Sequence, residues 1–409
     1  MRRARTLPLA LAGGVALALV ATSPAAAASV TWVSPTDSWW SVGGPWSGGA
    51  IAATGDDVTF AGGDRSTYNL GNVTFSSFHF TNAHTIANGG GAIGLTNGLT
   101  VDAGAPVTIQ PGVTTSGDQS WAVATGAALT LPSQVNVDPA STLTLQVDGV
   151  IEVTTGNLDG AAAACIVKTG AGVLRFAGGG GGVGSCGAEP EGLRVEAGEV
   201  QITPGANLGG KSFRVAGGTF TGGALGAASV VRQLNLGTGT VSPGVAGTDI
   251  GAIDLWGTST WTGGSYMVDW NPATGDADLV RGVGQAVSVV DTVLELRLAS
   301  AAAVGDAVTV LSSDVAVTGA FRSPAGAVLA DGDEFVSGGQ RYEIGYTGTA
   351  VNVTWLGAVP VAPAPAPAAD PTLAETGVTP GTGLAAAAAV LALVGGVLLV
   401  RRRRATARL

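Results

Sequence analysis

The chain repeats a short pattern of alternating apolar residues at an offset of 20 positions. Residues 193–200 read Leu-Arg-Val-Glu-Ala-Gly-Glu-Val, and residues 213–220 read Phe-Arg-Val-Ala-Gly-Gly-Thr-Phe. Residues 99–107 show the same pattern with one insertion. An apolar residue at every second position followed by a glycine corner is typical of a short strand and a tight bend. One such unit cannot bury its apolar face alone, so the units must stack on one another.

Stacked units of this length predict an all-β fold, a right-handed parallel β-helix. Strands separated by about 4.8 Å would enclose one continuous core along the stack. The composition agrees, because 66 of the 409 residues are Gly and only 12% are charged. A chain so poor in charge must bury one side of most strands and cover its turns with small polar residues.

Two neighbouring segments resemble a known repeat. Residues 166–176 read Ile-Val-Lys-Thr-Gly-Ala-Gly-Val-Leu-Arg-Phe, and residues 193–202 read Leu-Arg-Val-Glu-Ala-Gly-Glu-Val-Gln-Ile. This pair is similar to the autotransporter-associated β-strand repeat, in which a K-x-G-x-G-x-L strand is followed by a Gly-rich loop and a V-x-x-G-x-L strand. Residues 251–355 also resemble the end of such passenger domains. The resemblance implies a β-helical rod, in which Lys168 is a structural residue.

The N-terminus has the pattern of a secretory signal peptide. Arg2, Arg3 and Arg5 precede an apolar run over residues 7–20, and residues 25–28 are all Ala. A basic start, a short apolar middle and small residues at the cleavage site are the parts of such a signal. We therefore predict that residues 1–28 are removed on secretion.

The C-terminus combines a pentapeptide, an apolar span and a basic end. Residues 373–377 are Leu373, Ala374, Glu375, Thr376 and Gly377; residues 384–400 carry no charge, and four Arg follow. This order resembles the sorting signal of LPXTG surface proteins, in the LAXTG variant typical of high-GC Gram-positive bacteria. The resemblance implies that a sortase cleaves after Thr376 and joins its carbonyl to a peptidoglycan amine. The expected partners are therefore sortase and peptidoglycan.

These two ends predict a secreted protein anchored to the cell wall. A 17-residue apolar span is close to the minimum for a transmembrane helix, and the Arg cluster would keep its end in the cytoplasm. The precursor would therefore sit transiently in the plasma membrane through residues 384–400. An ordinary membrane anchor is the alternative interpretation.

The predicted organisation has five parts. Residues 1–28 are the signal peptide, 29–70 an N-terminal cap, 71–356 the β-helix rod, 357–372 an Ala/Pro-rich linker, and 373–409 the sorting signal. The linker favours an extended polyproline II spacer across the wall. The cap is rich in Trp, with Trp32, Trp39, Trp40 and Trp46. These rings can plug the open end of the core, or they can stack on sugars.

The mature chain would be strongly acidic. The two removed ends contain eight of the 19 basic residues and no acid, so 11 basic residues remain against 29 acidic ones. An acidic surface repels polyanions, which speaks against nucleic acid as a partner.

Few residues suggest site chemistry, and we predict no cofactor, no metal site and no catalytic residue. Cys165 and Cys186 are the only cysteines, and in an exported protein they most simply form a disulfide.

His79 and His84 would point to opposite faces of a strand, which makes them poor metal ligands. Acidic clusters are better explained as turn caps than as Ca²⁺ sites. Their members are Asp56, Asp57, Asp269, Asp276, Asp278, Asp331, Asp333 and Glu334.

The predicted function is surface display, as an adhesin that binds a host or environmental glycan or protein, or as a structural coat. The alternative is an extracellular polysaccharide lyase or glycoside hydrolase, because such enzymes are often β-helices. A glycosidase needs two carboxylates at a defined separation, which the sequence cannot measure.

Overall fold

The computed structural model describes residues 28–154, 158–160, 163–178, 185–186, 191–244 and 250–360. These residues contain one short 3-10 helix, Ser47–Gly49, and the following strands in chain order: β1 Ser29–Trp32, β2 Asp57–Phe60, β3 Arg65–Tyr68, β4 Val73–Phe80, β5 His84–Asn88, β6 Ala92–Val101, β7 Pro106–Ile109, β8 Gly112–Thr115, β9 Gln119–Val123, β10 Ala128–Leu131, β11 Val135–Val137, β12 Thr142–Val147, β13 Val150–Val153, β14 Leu158–Gly160, β15 Cys165–Thr169, β16 Val173–Phe176, β17 Leu193–Val195, β18 Glu199–Ile202, β19 Asn207–Val215, β20 Thr219–Gly222, β21 Ser229–Leu236, β22 Thr240–Pro243, β23 Ala252–Leu255, β24 Ser259–Trp261, β25 Ser265–Asn271, β26 Asp276–Ala277, β27 Leu279–Gly282, β28 Val287–Leu298, β29 Ala307–Ser313, β30 Val317–Arg322, β31 Glu334–Ser337, β32 Gln340–Tyr346 and β33 Ala350–Ala358.

The strands stack in three parallel sheets, which confirms the predicted β-solenoid. Sheet 1 contains, in order, β1, β2, β4, β6, β9, β12, β15, β17, β19, β21, β24, β28 and β30. Sheet 2 contains β3, β5, β7, β10, β13, β16, β18, β20, β22, β25 and the second half of β28. Sheet 3 includes β8, β11, β14, β23, β27, β29 and the first halves of the longest strands. The hand of the coil stays a prediction.

Residues that are 20 positions apart in the sequence repeat pair with each other on adjacent strands. Leu193 pairs with Phe213, and Val200 pairs with Phe220, so one coil here is 20 residues long. The two segments of the recognised repeat also stack, with Ile166 beside Leu193. Coils elsewhere are longer, and Val289 pairs with Gly319, 30 residues further on. Extra residues are accommodated where the chain passes between sheets, because the inward strand positions must stay in register.

The core is a continuous column of inward side chains. Leu143, Leu145 and Val147 alternate with outward residues and are almost fully buried. The apolar rings are concentrated at the N-terminal end of the column, where the Phe60 and Phe80 rings stack with centroids 4.4 Å apart. At about 25 cal/mol per Å² of apolar area, this burial is the main stabilising term of the fold.

Solenoid strands begin before residue 71, the predicted start of the rod. β1 and β2 pair in parallel with each other, and β2 pairs in parallel with β4. Residues 29–70 therefore contain the first strands of the stack as well as its end. Trp32, Trp40 and Trp46 are buried there, as expected for rings that fill the end of the core. Trp39 alone of these four is exposed, with 51% of its surface accessible.

The far end of the stack is antiparallel, which the sequence did not predict. β33 pairs antiparallel with both β29 and β32, and β31 pairs antiparallel with β32. The parallel coils therefore end near β30, whereas the predicted rod continued to residue 356. Antiparallel pairing closes a sheet edge that would otherwise offer free backbone groups to another chain.

Candidate functional site

An open groove of about 560 Å³ lies along the outer face of sheet 2. It runs across five consecutive strands of this sheet, β18, β20, β22, β25 and β28. At about 4.8 Å per strand, the groove is roughly 19 Å long. It is lined by Ala171, Gly198, Glu199, Gly218, Thr219, Thr221, Thr240, Ser242, Met267 and Arg297.

Two rows of hydroxyl groups form the floor of the groove. Thr219 pairs with Thr240, and Thr221 pairs with Ser242, so that each row continues from one coil to the next. Thr221 and Ser242 are almost fully buried, with 5% and 7% of their surfaces accessible. Within the described part of the chain, Thr219, Thr240 and Ser242 make no side-chain hydrogen bond. Their hydroxyls are therefore available to a ligand as donors and acceptors.

Opposite charges mark the two ends of the groove. The Thr221 hydroxyl donates to Glu199 Oε1 at 2.6 Å, which fixes this carboxylate at one end. Arg297 is exposed at the other end and stands in register with Asp269. Burial raises the pKa of the Asp269 carboxyl, and the charge of Arg297 opposes that rise. Glu199 is the only carboxylate among the lining residues of the groove.

A buried carboxyl lies close to this end of the groove. Asp278 is fully buried, and its oxygens accept the backbone N–H groups of Gly251 at 2.7 Å and Asp269 at 2.9 Å. Burial raises the pKa of Asp278 to about 8, the two N–H donors oppose the rise, and the charge of Asp269 adds to it. Both oxygens of Asp278 hold backbone groups, so this carboxyl joins two parts of the coil and does not face a substrate.

A second, smaller cavity of about 200 Å³ lies on the outer face of sheet 1. It is lined by Glu191, Arg214, Asn235, Leu236, Gly237, Thr260 and Thr262. Glu191 is 1% exposed, and its Oε1 accepts a hydrogen bond from the Asn235 amide. The side-chain oxygen of Asn235, Oδ1, in turn accepts the Thr260 backbone N–H at 2.7 Å. This network holds neighbouring coils together.

Two of the acidic residues cap turns, as predicted. Asp56 Oδ2 accepts the Ala53 N–H at 2.8 Å, and Asp333 Oδ2 accepts the Ala330 N–H at 2.7 Å. Asp331 instead accepts the N–H of Tyr346 at 2.7 Å, a residue 15 positions away at the end of β32, so this contact does not cap a local turn. Across the described ranges, no group of three or more His, Cys, Asp or Glu side chains could hold a metal ion.

The two histidines lie on two different strands, β4 and β5, and not on opposite faces of one strand as their spacing predicted. His79 is half-exposed, and its Nε2 lies 3.0 Å from Asp102 Oδ1. His84 is buried against the N-terminal aromatic cluster, with its ring centroid 4.7 Å from that of Phe60.

Both lysines of the chain are fully buried. Lys168 donates to the carbonyls of Thr169 at 3.0 Å, Gly170 at 2.8 Å and Ala197 at 2.9 Å, which joins the corners of two consecutive coils. The structural role implied for Lys168 by the repeat is therefore visible in its contacts. Lys211 reaches the Leu158 carbonyl at 2.6 Å, and Asp159 lies beside it. The sequence did not single out Lys211, because nothing in its neighbourhood identifies a partner 52 positions away.

Cys165 and Cys186 are bonded as a disulfide, with Cα atoms 4.5 Å apart. The predicted sortase residues Leu373, Ala374, Glu375, Thr376 and Gly377 lie outside the described residues, as do residues 1–27 of the predicted signal peptide and most of the predicted linker. No helix within residues 28–360, as far as they are described, is long and apolar enough to cross a membrane. The predicted span over residues 384–400 lies outside that part.

Comparison with solved structures reveals a remote likeness. No protein-family model matches the chain, and no curated protein does. Among solved structures, the crystal structure of the Haemophilus influenzae Hap adhesin aligns with a TM-score of 0.32 and 11% sequence identity, over 74% of this chain and 38% of that one. This chain thus spans well under half the length of that structure. A likeness this remote says nothing about function, and the solenoid is established by its own strand pairing.

Proposed function

We propose that this protein is a sortase-anchored surface protein whose solenoid binds an extended ligand rich in hydroxyl groups, most simply a polysaccharide. The anchoring is supported by the order of residues 373–377, the apolar span and the Arg cluster. The Ala/Pro-rich linker would space the solenoid from the wall. The protein would act as an adhesin, in contact with glycans of a host or of the surroundings.

The observation that carries the binding proposal is the pair of hydroxyl rows in the groove. Hydroxyl groups that recur from coil to coil suit a ligand built from repeating units. A sugar hydroxyl can either donate a hydrogen bond to a Thr or Ser hydroxyl or accept one from it. One carboxylate and one guanidinium add polar contacts at the ends, and Met267 offers an apolar surface. The acidic mature chain speaks against a polyanion in this groove.

Arrays of glycans and of matrix proteins, probed with the purified mature chain, test the proposal. The matched variant carries Thr219→Val and Thr240→Val, which removes two groove hydroxyls and keeps the β-branched shape. The control carries Thr108→Val and Thr130→Val, two residues in register on the same sheet but on earlier coils. Losing two hydrogen bonds of about 1 kcal/mol each predicts roughly tenfold to thirtyfold weaker binding for the groove variant alone.

Two outcomes would count against binding in the groove. Equal loss in both variants would place the ligand elsewhere, and absence of binding to every glycan and protein would favour a structural coat. Deletion of residues 373–377 tests the anchoring separately, and the protein should then move from the wall fraction to the membrane or the medium. Continued covalent attachment of this deletion variant to the wall would contradict the proposed anchoring.

The runner-up is a polysaccharide-degrading enzyme, and one observation favours it. Asp269 has a raised pKa and stands in register with Arg297 at the end of the groove, and a carboxyl with raised pKa is the usual general acid of glycoside hydrolysis. Release of reducing or unsaturated sugars by the mature chain, abolished in Asp269→Asn, would support this alternative. Binding without any product would favour the adhesin.

A further inference from the structure

The surroundings of Lys211 combine a buried amine with a nearby carboxyl. Lys211 lies in β19 with none of its surface accessible, and its Nζ is 3.6 Å from Asp159 Oδ1 on β14. The Phe176 ring covers it, with its centroid 5.9 Å from Nζ. An amine and a carboxyl from different coils are therefore held close together, with the amine fully buried.

This pair is poorly stabilised as ions. Asp159 Oδ1 is buried, and its contact with Lys211 Nζ, at 3.6 Å, is longer than a good hydrogen bond. Removing an ammonium and a carboxylate from water is strongly unfavourable unless further hydrogen bonds compensate. Burial accordingly lowers the pKa of Lys211 to about 8, although Asp159 opposes that shift. Burial therefore favours the neutral amine, which is the nucleophilic form.

The other buried lysine provides the contrast within the same chain. Lys168 donates to three backbone carbonyls, and among the described residues no carboxylate lies within ion-pair distance of it. The proximity of an amine to a carboxyl is therefore a property of the Lys211 site and not of buried lysines in this fold.

We propose that Lys211 and Asp159 condense to an intramolecular amide that links β19 covalently to β14. A proton passes from the ammonium to Asp159 Oδ1, and the free lone pair of Nζ attacks the carboxyl carbon. Negative charge develops on Oδ2, which accepts the Gln134 side-chain N–H at 2.8 Å. The C–Oδ1 bond then breaks, a second proton moves from nitrogen to this oxygen, and one water leaves. No oxidant, cofactor or second substrate is needed.

The amide would remove two buried charges and close a covalent loop between residues 52 positions apart. The coils in this loop could then not separate by unzipping from one end, which is how stacked repeats ordinarily unfold. Resistance to pulling is useful in a protein held at one end and bound at the other. The cross-link itself does not depend on the proposed function.

Peptide mapping by mass spectrometry of the full chain, purified after export, tests the proposal. We expect a branched peptide that joins the Asp159 segment to the Lys211 segment and weighs one water less than its two parts. Lys211→Met and Asp159→Ala should both remove it. Lys168→Met, which also deletes a buried ammonium, should keep it.

One competing reaction gives the same loss of mass. Asp159 precedes Gly160, and an Asp-Gly pair can lose water by closing a ring on its own backbone. That product is a linear peptide, and it would persist in Lys211→Met. Linear peptides in the wild type, with or without the loss of water, would overturn the cross-link. If the Lys211 variant fails to accumulate, the wild-type peptide map alone decides.

Discussion

Acidification should destabilise the N-terminal end of the solenoid through one residue, His84. This side chain is 2% exposed, and its ring packs against Trp32, Phe60 and Phe80. Its Nδ1 lies 3.3 Å from the Gly63 carbonyl, which can only accept, so Nδ1 carries the proton. Nε2 then accepts the Ser66 hydroxyl at 2.8 Å. The neutral ring is thus fully hydrogen-bonded.

The magnitude follows from the shift in pKa. Burial lowers the pKa of His84 from 6.5 to about 4, against the Gly63 carbonyl and the charges of Asp64 and Asp37. Between these two pH values the unfolded chain binds a proton that the folded chain does not. Stability contributed by neutral His84 is therefore complete above pH 6.5 and is lost as the pH falls to about 4. A difference of about 2.5 pH units corresponds to about 3 kcal/mol of unfolding free energy.

Two measurements check this prediction. The chain has only two histidines, so NMR of the ring protons should show one titration with a midpoint near 4, which disappears in His84→Gln. Denaturant unfolding at pH 7 and pH 4, followed by Trp fluorescence, should show a loss of about 3 kcal/mol in the wild type relative to His84→Gln. His79→Gln, at the half-exposed histidine, is the matched control and should keep that loss. A His84 midpoint at or above 6 would refute the reasoning.

Three further predictions concern single residues. Gly198→Ala should destabilise the folded chain more than Gly205→Ala. Both glycines have φ near +70°, but a Cβ on Gly198 would lie 2.4 Å from the Gly170 carbonyl oxygen, whereas a Cβ on Gly205 would meet nothing within 4 Å. Equal midpoints of denaturant unfolding for the two variants would contradict this steric argument. Lys168→Met should lower stability by about 2–3 kcal/mol, because three part-buried carbonyls lose their donor. A change below about 0.5 kcal/mol in denaturant unfolding would show that these carbonyls find other partners. Burial raises the pKa of Asp278 from 3.8 to about 8, so its contribution is complete below pH 3.8 and is lost as the pH rises through 8. Asp278→Asn should reduce the loss of stability between pH 5 and pH 9 in the same assay, and an unchanged slope would contradict this assignment.

The groove shows how far sequence reasoning extends toward a site. Thr219 and Thr240 occupy the same position of consecutive coils, and the repeat register alone could have placed them side by side. Arg297 could not be placed this way, because the coils before it are longer and irregular. The depth of the groove, which buries Thr221 and Ser242, depends on neighbouring segments that no local pattern describes.

The ends of the stack were predicted less well than its middle. β33 alternates buried and outward residues along Val351 and Val353 as the coil strands do, yet it pairs antiparallel. Alternation reports which face of a strand is buried and carries no information on the direction of its neighbour. The parallel strands β1 to β3 were likewise assigned to a cap, because the Trp residues there suggested a separate element.

The sequence by itself determined the all-β class, the short coil and the inward face of each strand. These three properties follow from short stretches of sequence, because a chain of alternating apolar residues and glycine turns has few other ways to bury its apolar side chains. Only the tertiary structure decided which coils stand side by side, and therefore that Lys211 meets Asp159 and that hydroxyls from several coils share one groove. Contacts between residues 20 to 50 positions apart depend on the summed length of every loop between them, and no local pattern records that sum.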